Sequence, residues 1–240
     1  MKQRATADQV LVRKLNTSLV LDCLRTAAPL SRADLSARTG LNRSTVSSVI
    51  DELLQKKLVR EIGLQQSTER GRPGILLELN PDGGCAVGVE IGVDFISAIL
   101  TDFTAQGLWQ QHTFSNPQDS QDDIIERAEE IIQQALDIGQ EKHLPHLGIG
   151  LGVPGLVNIW EGSLVFAPNL RWCDVPFRHK WTERFGIPVF VENEANAAAL
   201  GEYYFGVAHN VQNVIYLSAG VGLGSGIIIN GRLFRGSGGY

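Results

Sequence analysis

AVGVEIGVDFISAILTDFTAQGLWQQHTF, residues 86–114, runs a β-branched stretch into Gly92, leaves it again at Phe95, and turns once more at Gln106-Gly107. That pattern predicts strand, glycine turn, strand, turn, strand. The same shape returns in NVIYLSAGVGLGSGIIINGRLFRG, residues 213–236, where Asn230-Gly231 is a strong two-residue hairpin signal. Between the two lies a helix capped at Ser120, with Ile124, Ile125, Ala128, Ile131, Ile132 and Ala135 on one face. A strand LGIGLGVPG (147–155), a helix near 177–185, a short strand PVFVE (188–192) and a helix EANAAALGEYYF (194–205) follow. Hairpins followed by helices, twice over, predict a two-lobed α/β body with a cleft between the lobes. Such a cleft is the default ligand site.

In front of this body the chain changes character. Residues 1–80 carry 13 Lys and Arg against 8 Asp and Glu, a net +5, while the remaining residues carry 8 against 18, a net −10. A basic head on an acidic body points to a polyanion as partner of the head alone. No run of about 18 apolar residues supports a membrane span, and the start MKQRATADQV lacks the apolar core of a signal peptide. Cys23, Cys85 and Cys173 are scattered, with no CxxC spacing, so neither a disulfide framework nor a zinc knuckle is indicated. They read as reduced thiols of a cytoplasmic protein.

Within the head, SRADLSARTGLNRSTVSSVIDELLQK (31–56) is the informative stretch. Ser31 with Asp34 is a helix start, Gly40 permits a sharp turn, and Asn42 caps a second helix. That helix places Val46, Val49, Ile50, Leu53 and Leu54 on one face. With a preceding helix over about 17–27, the three form a helix-turn-helix. Asn42, Arg43, Ser44, Thr45, Ser47 and Ser48 are the small or basic hydrogen-bonders expected to enter a major groove. Leu58-Val59 and Ile75-Leu76-Leu77 then read as a wing whose tip carries Arg70-Gly71-Arg72-Pro73. Arg70 and Arg72 suit a narrow A·T-rich minor groove, whose negative potential draws guanidinium groups. The expected division is a winged helix-turn-helix over 1–80 and a body over 81–240. Leu79 to Gly84 is expected to serve as a hinge between them, stiffened by Pro81.

GVPGLV (152–157), APNLRW (167–172), VENEANAAALGE (191–202) and GVGLGSGIIINGRLFRG (220–236) together resemble the ROK family of repressors, open reading frames and sugar kinases. With the helix-turn-helix in front, the order resembles the xylose-repressor-like branch. The resemblance implies an actin/hexokinase-like body and a bound monosaccharide, xylose or glucose. It also implies operator DNA as partner and a homodimer in the parent protein. It carries sugar binding to Asn169 and Asn193, and places Glu194 where the kinases hold a general base.

The kinase pattern departs at Glu90, at Asp94 and at Val221, the last two standing where phosphate-loop threonines are expected. A carboxylate about 4 Å from a phosphate charge costs on the order of 4 kcal/mol at an effective dielectric near 20. The first reading is therefore a non-enzymatic, sugar-responsive repressor, and the second an ATP-dependent sugar kinase with a regulatory head. The resemblance also implies a Glu-x-Gly-His stretch and a zinc cluster of one His and three Cys beyond residue 240. The chain accordingly reads as an N-terminal fragment with an incomplete second lobe and no cofactor of its own.

Overall fold

The computed structural model describes residues 2–64, 74–116, 118–209 and 211–236. The chain divides into two compact units, Met1–Gly84 with Asp102–Gln106, and Cys85–Thr101 with Gly107–Tyr240.

The first unit opens with α1 (Lys2–Ala27), followed by the short strand β1 (Leu30–Ser31), α2 (Arg32–Thr39) and α3 (Arg43–Gln55). Ser31 and Asp34 cap α2 reciprocally, and Gly40 closes it at φ 71°. Val20, Leu24, Leu35, Val46, Val49, Ile50 and Leu53 form the core, so the spacing of α3 is the spacing of its buried face. The wing strands are β2 (Val59–Leu64) and β3 (Ile75–Leu79). β3 lies between β1 and β2, with Leu30 opposite Leu77.

Two features differ from the sequence expectation. The first helix begins at Lys2 rather than near residue 17. Its N-terminal half has no single apolar face: Val10, Leu11, Val12 and Leu15 are all exposed. The hinge expected over 79–84 is fastened to the head. Asn80 donates its side-chain amide to the Lys57 carbonyl at 2.7 Å and its N–H to Leu58 at 3.0 Å. Pro81–Gly83 forms a 3-10 turn, and Gly83 is buried where a Cβ would meet the Lys57 carbonyl.

The second unit is built on a five-stranded sheet. Its strands are β4 (Cys85–Ile91), β5 (Phe95–Asp102), β6 (Gly107–Phe114), β7 (His146–Val153) and a later strand, Val189–Asn193. α4 (Gln121–Glu141) crosses between β6 and β7, and every inward residue expected on it is buried. Sequence reading did not foresee the small antiparallel sheet that follows, β8 (Leu156–Asn158), β9 (Ser163–Ala167) and β10 (Trp172–Val175). α5 (Phe177–Phe185) then leads into β11, the strand Val189–Asn193, which joins the large sheet parallel to β7 in the order β11-β7-β4-β5-β6.

From β11 the chain passes directly into α6 (Glu194–Phe205) and then into β12 (Val214–Ala219), β13 (Leu223–Ile229) and β14 (Arg232–Leu233). Asn230 and Gly231 both have positive φ, as a two-residue hairpin requires. The small residues of α6 explain its position. A Cβ on Gly226 of β13 would lie 2.5 Å from the Ala195 carbonyl and 2.5 Å from Ala199, whereas one on Gly152 of β7 would make ordinary contact, 3.9 Å from Ala197. α6 therefore packs against glycines of both sheets. The outer face of the β12–β13 pair remains bare: Ile215, Leu217 and Leu223 are 67–81% exposed. The result is a mixed α/β body with open sheets and a partial second lobe.

Candidate functional site

In the head, the Asn42 side chain accepts the Thr45 N–H at 2.7 Å and the Ser44 hydroxyl at 2.8 Å. Asn42 and Ser44 thus fasten the start of α3. Arg43 and Ser48 stand exposed beside them, and Thr45 and Ser47 are half-buried. Arg32 of α2 braces the same helix through Asp51 at 2.8 Å. All six residues expected on this surface fall on one end of one helix. Arg70 and Arg72 lie outside the described residues.

Sequence reading missed the neighbour of this helix. Gln9, Arg13 and Asn16 of α1 face Thr45 and Ser48 across a groove of about 450 Å³, and Arg13 pairs with Glu52 at 2.5 Å. Their spacing, i, i+4, i+7, was the available signal.

In the body, the matched motifs meet around the start of α6. Asn193 is its N-cap: the side-chain oxygen accepts the N–H groups of Ala195 (2.9 Å) and Asn196 (3.1 Å). Its amide nitrogen donates to the Gly155 carbonyl (3.1 Å) and to Glu194 (2.9 Å). Both lone pairs and both N–H groups are engaged. Asn169 is exposed in the turn after β9, with its amide nitrogen 3.0 Å from where a Cβ on Gly222 would lie.

Two clefts flank this junction. One, of about 360 Å³, is lined by Gly155, Glu192, Asn193, Asn196, Ser225 and Phe234 among others. The other, of about 300 Å³, holds Glu90 and Glu194 against Gly88, Gly150 and Gly152. Burial raises the pKa of Glu90, partly opposed by His112. Burial also raises that of Glu194; its own backbone hydrogen bond opposes this and the nearby Glu90 adds to it. Two half-buried carboxylates facing one cleft hold their protons more readily than free ones.

The β4–β5 hairpin is closed from within. The Gly92 N–H donates to the Phe95 carbonyl at 2.8 Å, and a Cβ on Gly92 would strike the Phe95 ring. That ring stacks on His112 at 5.2 Å, and His112 meets Phe114 edge-on at 5.2 Å. Asp94 is exposed at the tip. Among the described residues no group of three or more His, Cys, Asp or Glu is placed to hold a metal, and no helix is long and apolar enough to cross a membrane.

A winged head, a glycine-hairpin body and an Asn-capped helix at the cleft define a class, and the chain belongs to the ROK family, whose model matches residues 86–240. A MarR family model matches residues 14–70. The xylose repressor of Bacillus subtilis is 41% identical over 98% of this chain and 60% of that protein. The DNA-binding transcriptional dual regulator NagC of Escherichia coli is 28% identical over 95% of this chain and 56% of its own length. Among solved structures, a ROK family transcriptional regulator homologous to the E. coli Mlc protein superposes with a TM-score of 0.78 at 27% identity. It covers 94% of this chain and 57% of that one. A ROK family glucokinase from Streptomyces griseus, solved with glucose and AMPPNP, gives 0.55 at 36% identity over 64% of this chain and 47% of that one. The chain thus spans about 60% of the length of curated relatives it matches.

Proposed function

We propose that this chain carries the operator-binding head and the first part of the sugar-binding body of a transcriptional repressor. The exposed start of α3 would enter the major groove, with Arg43 and Ser48 facing DNA and Asn42 and Ser44 holding the helix end. Arg70 and Arg72 would reach an adjoining minor groove. The body would bind a monosaccharide, xylose being suggested by the relatives' names.

The observation that carries the sugar reading is the Asn193–Glu194 contact at 2.9 Å. It sets a donor and an acceptor side by side where the two clefts adjoin, Asn193 lining the one with Asn196 and Ser225 and Glu194 lining the one with Glu90. A sugar hydroxyl can replace that bond, accepting from the Asn193 amide and donating to Glu194. Asn169 would add a further amide. The non-enzymatic reading is favoured by Asp94, Val221 and the Phe95 ring against Gly92, none of which suits a bound phosphate. For sugar to release DNA, it must bind the DNA-incompetent shape more tightly.

The test is a thermal-shift titration with D-xylose and D-glucose, run beside an assay for ADP release with MgATP. A sugar-dependent shift without ADP release is expected. ADP release would restore the kinase reading, and no shift with either sugar would remove the effector site from this chain. The same titration on full-length relatives separates loss of the site from the shorter chain.

A further inference from the structure

Glu192 is the penultimate residue of β11, immediately before Asn193. One of its oxygens accepts the Asn193 N–H at 3.1 Å and the Asn196 side-chain amide at 3.1 Å. The other accepts from Arg235, just beyond β14, in a close ion pair. The segment carrying Arg235 is held on β13 by the Phe234 N–H, which donates to the Ile227 carbonyl at 2.7 Å. A continuous chain of bonds therefore runs from the second-lobe hairpin, through Arg235 and Glu192, to two asparagines of the polar cleft.

The pair also forms a wall. Glu192 lines both the polar cleft and a separate, mainly apolar cleft of about 560 Å³, while Arg235 lines the apolar one. Both side chains are largely removed from water, with 17% and 31% exposed. The Arg235 Nε is buried without a hydrogen-bond partner. A guanidinium with one orphaned donor holds its place because of the partner charge, so breaking the pair leaves a poorly solvated charge on each side.

We propose that the Arg235–Glu192 pair is a latch: Arg235 is a positioning residue that, through Glu192, orients Asn193 and Asn196 toward the effector without touching it. This rests on the sugar reading of the polar cleft. It predicts that the asparagines loosen when the arginine is lost, even with no sugar present.

The experiment compares Arg235→Ala, Arg235→Lys and Glu192→Gln in the 240-residue chain by amide hydrogen exchange and by the side-chain amide NMR signals of Asn193 and Asn196. Arg235→Ala is expected to speed exchange at residues 193–196 about tenfold or more, leaving α4 unchanged, and to move the Asn196 side-chain signal. Arg235→Lys should restore most of the protection, because it returns the charge. Glu192→Gln should act like the alanine variant. Unchanged exchange and unchanged asparagine signals in both Arg235→Ala and Glu192→Gln would overturn the latch. So would exchange that rises equally throughout the second unit, which marks a merely structural pair. A D-xylose titration of the same proteins separates the two ideas. Local loosening in the variants with no xylose response in the wild type upholds the latch and removes the sugar reading. Weaker xylose binding in Arg235→Ala, rescued by Arg235→Lys, upholds both.

Discussion

Asn193 holds the start of α6, and in the proposed function the same side chain also meets the sugar. As a cap it satisfies two otherwise unpaired N–H groups of α6. Asn193→Asp keeps that acceptor, since the two residues cap about equally well. It loses the donor to Gly155 and sets a second carboxylate beside Glu194. The expected outcome is a folded protein, by circular dichroism, whose sugar-dependent thermal shift is gone. Asn193→Ala should lose the shift and also about 1 kcal/mol of stability, from the cap alone. Glu90 makes a second case. Its pKa is raised by burial, so its contribution to stability is present below the ordinary carboxylate range and is lost as pH climbs through the raised value. Glu90→Gln should therefore raise the melting temperature at pH 7, and the gain should vanish below about pH 4.3. Melts across that range decide it; equal melting temperatures at neutral pH would mean the burial carries no penalty. Asp34 has the opposite sign. The Ser31 hydroxyl and backbone lower its pKa, so its contribution is lost as pH falls.

At the scale of elements, the Ala-rich α6 depends on Gly226 for its close approach to β13. Gly226→Ala places a methyl group against the Ala195 carbonyl and the Ala199 side chain, and a loss of about 1–3 kcal/mol in chemical denaturation is expected. Arg178 is the clasp of the small β8–β10 sheet. It donates to the carbonyls of Val189 (3.0 Å), Trp160 (2.6 Å) and Ile159 (2.9 Å). Arg178→Ala should cost about 1.5–3 kcal/mol by leaving those carbonyls unpaired. Arg60→Ala, which breaks a more exposed pair with Glu78, should cost under about 1 kcal/mol. Equal losses in the two would contradict the clasp. These elements also mark what the sequence made legible. α3 and α4 could be read because each buries one periodic face and carries a cap. The β8–β10 sheet could not, because its strands are three to five residues long and separated by Gly, Pro and Asn turns. The N-terminal half of α1 hid for a different reason, since apolar residues face outward there. The Arg235–Glu192 pair joins residues 43 apart, a separation that no local pattern reports.

For the whole molecule, the division of charge matches the division of labour proposed here. A basic head suits a polyanion, and an acidic body suits an uncharged effector better than a nucleotide. The most direct measurement is a fluorescence-anisotropy titration of the wild-type chain and Arg43→Ala. Each is titrated against the duplex that the wild type selects from a random pool and against a scrambled duplex. The wild type should prefer the selected duplex, with affinity falling as salt rises. Arg43→Ala should weaken that binding by about 1–3 kcal/mol and narrow the preference. Equal affinity for selected and scrambled duplexes, or no effect of Arg43→Ala, would contradict sequence reading by α3.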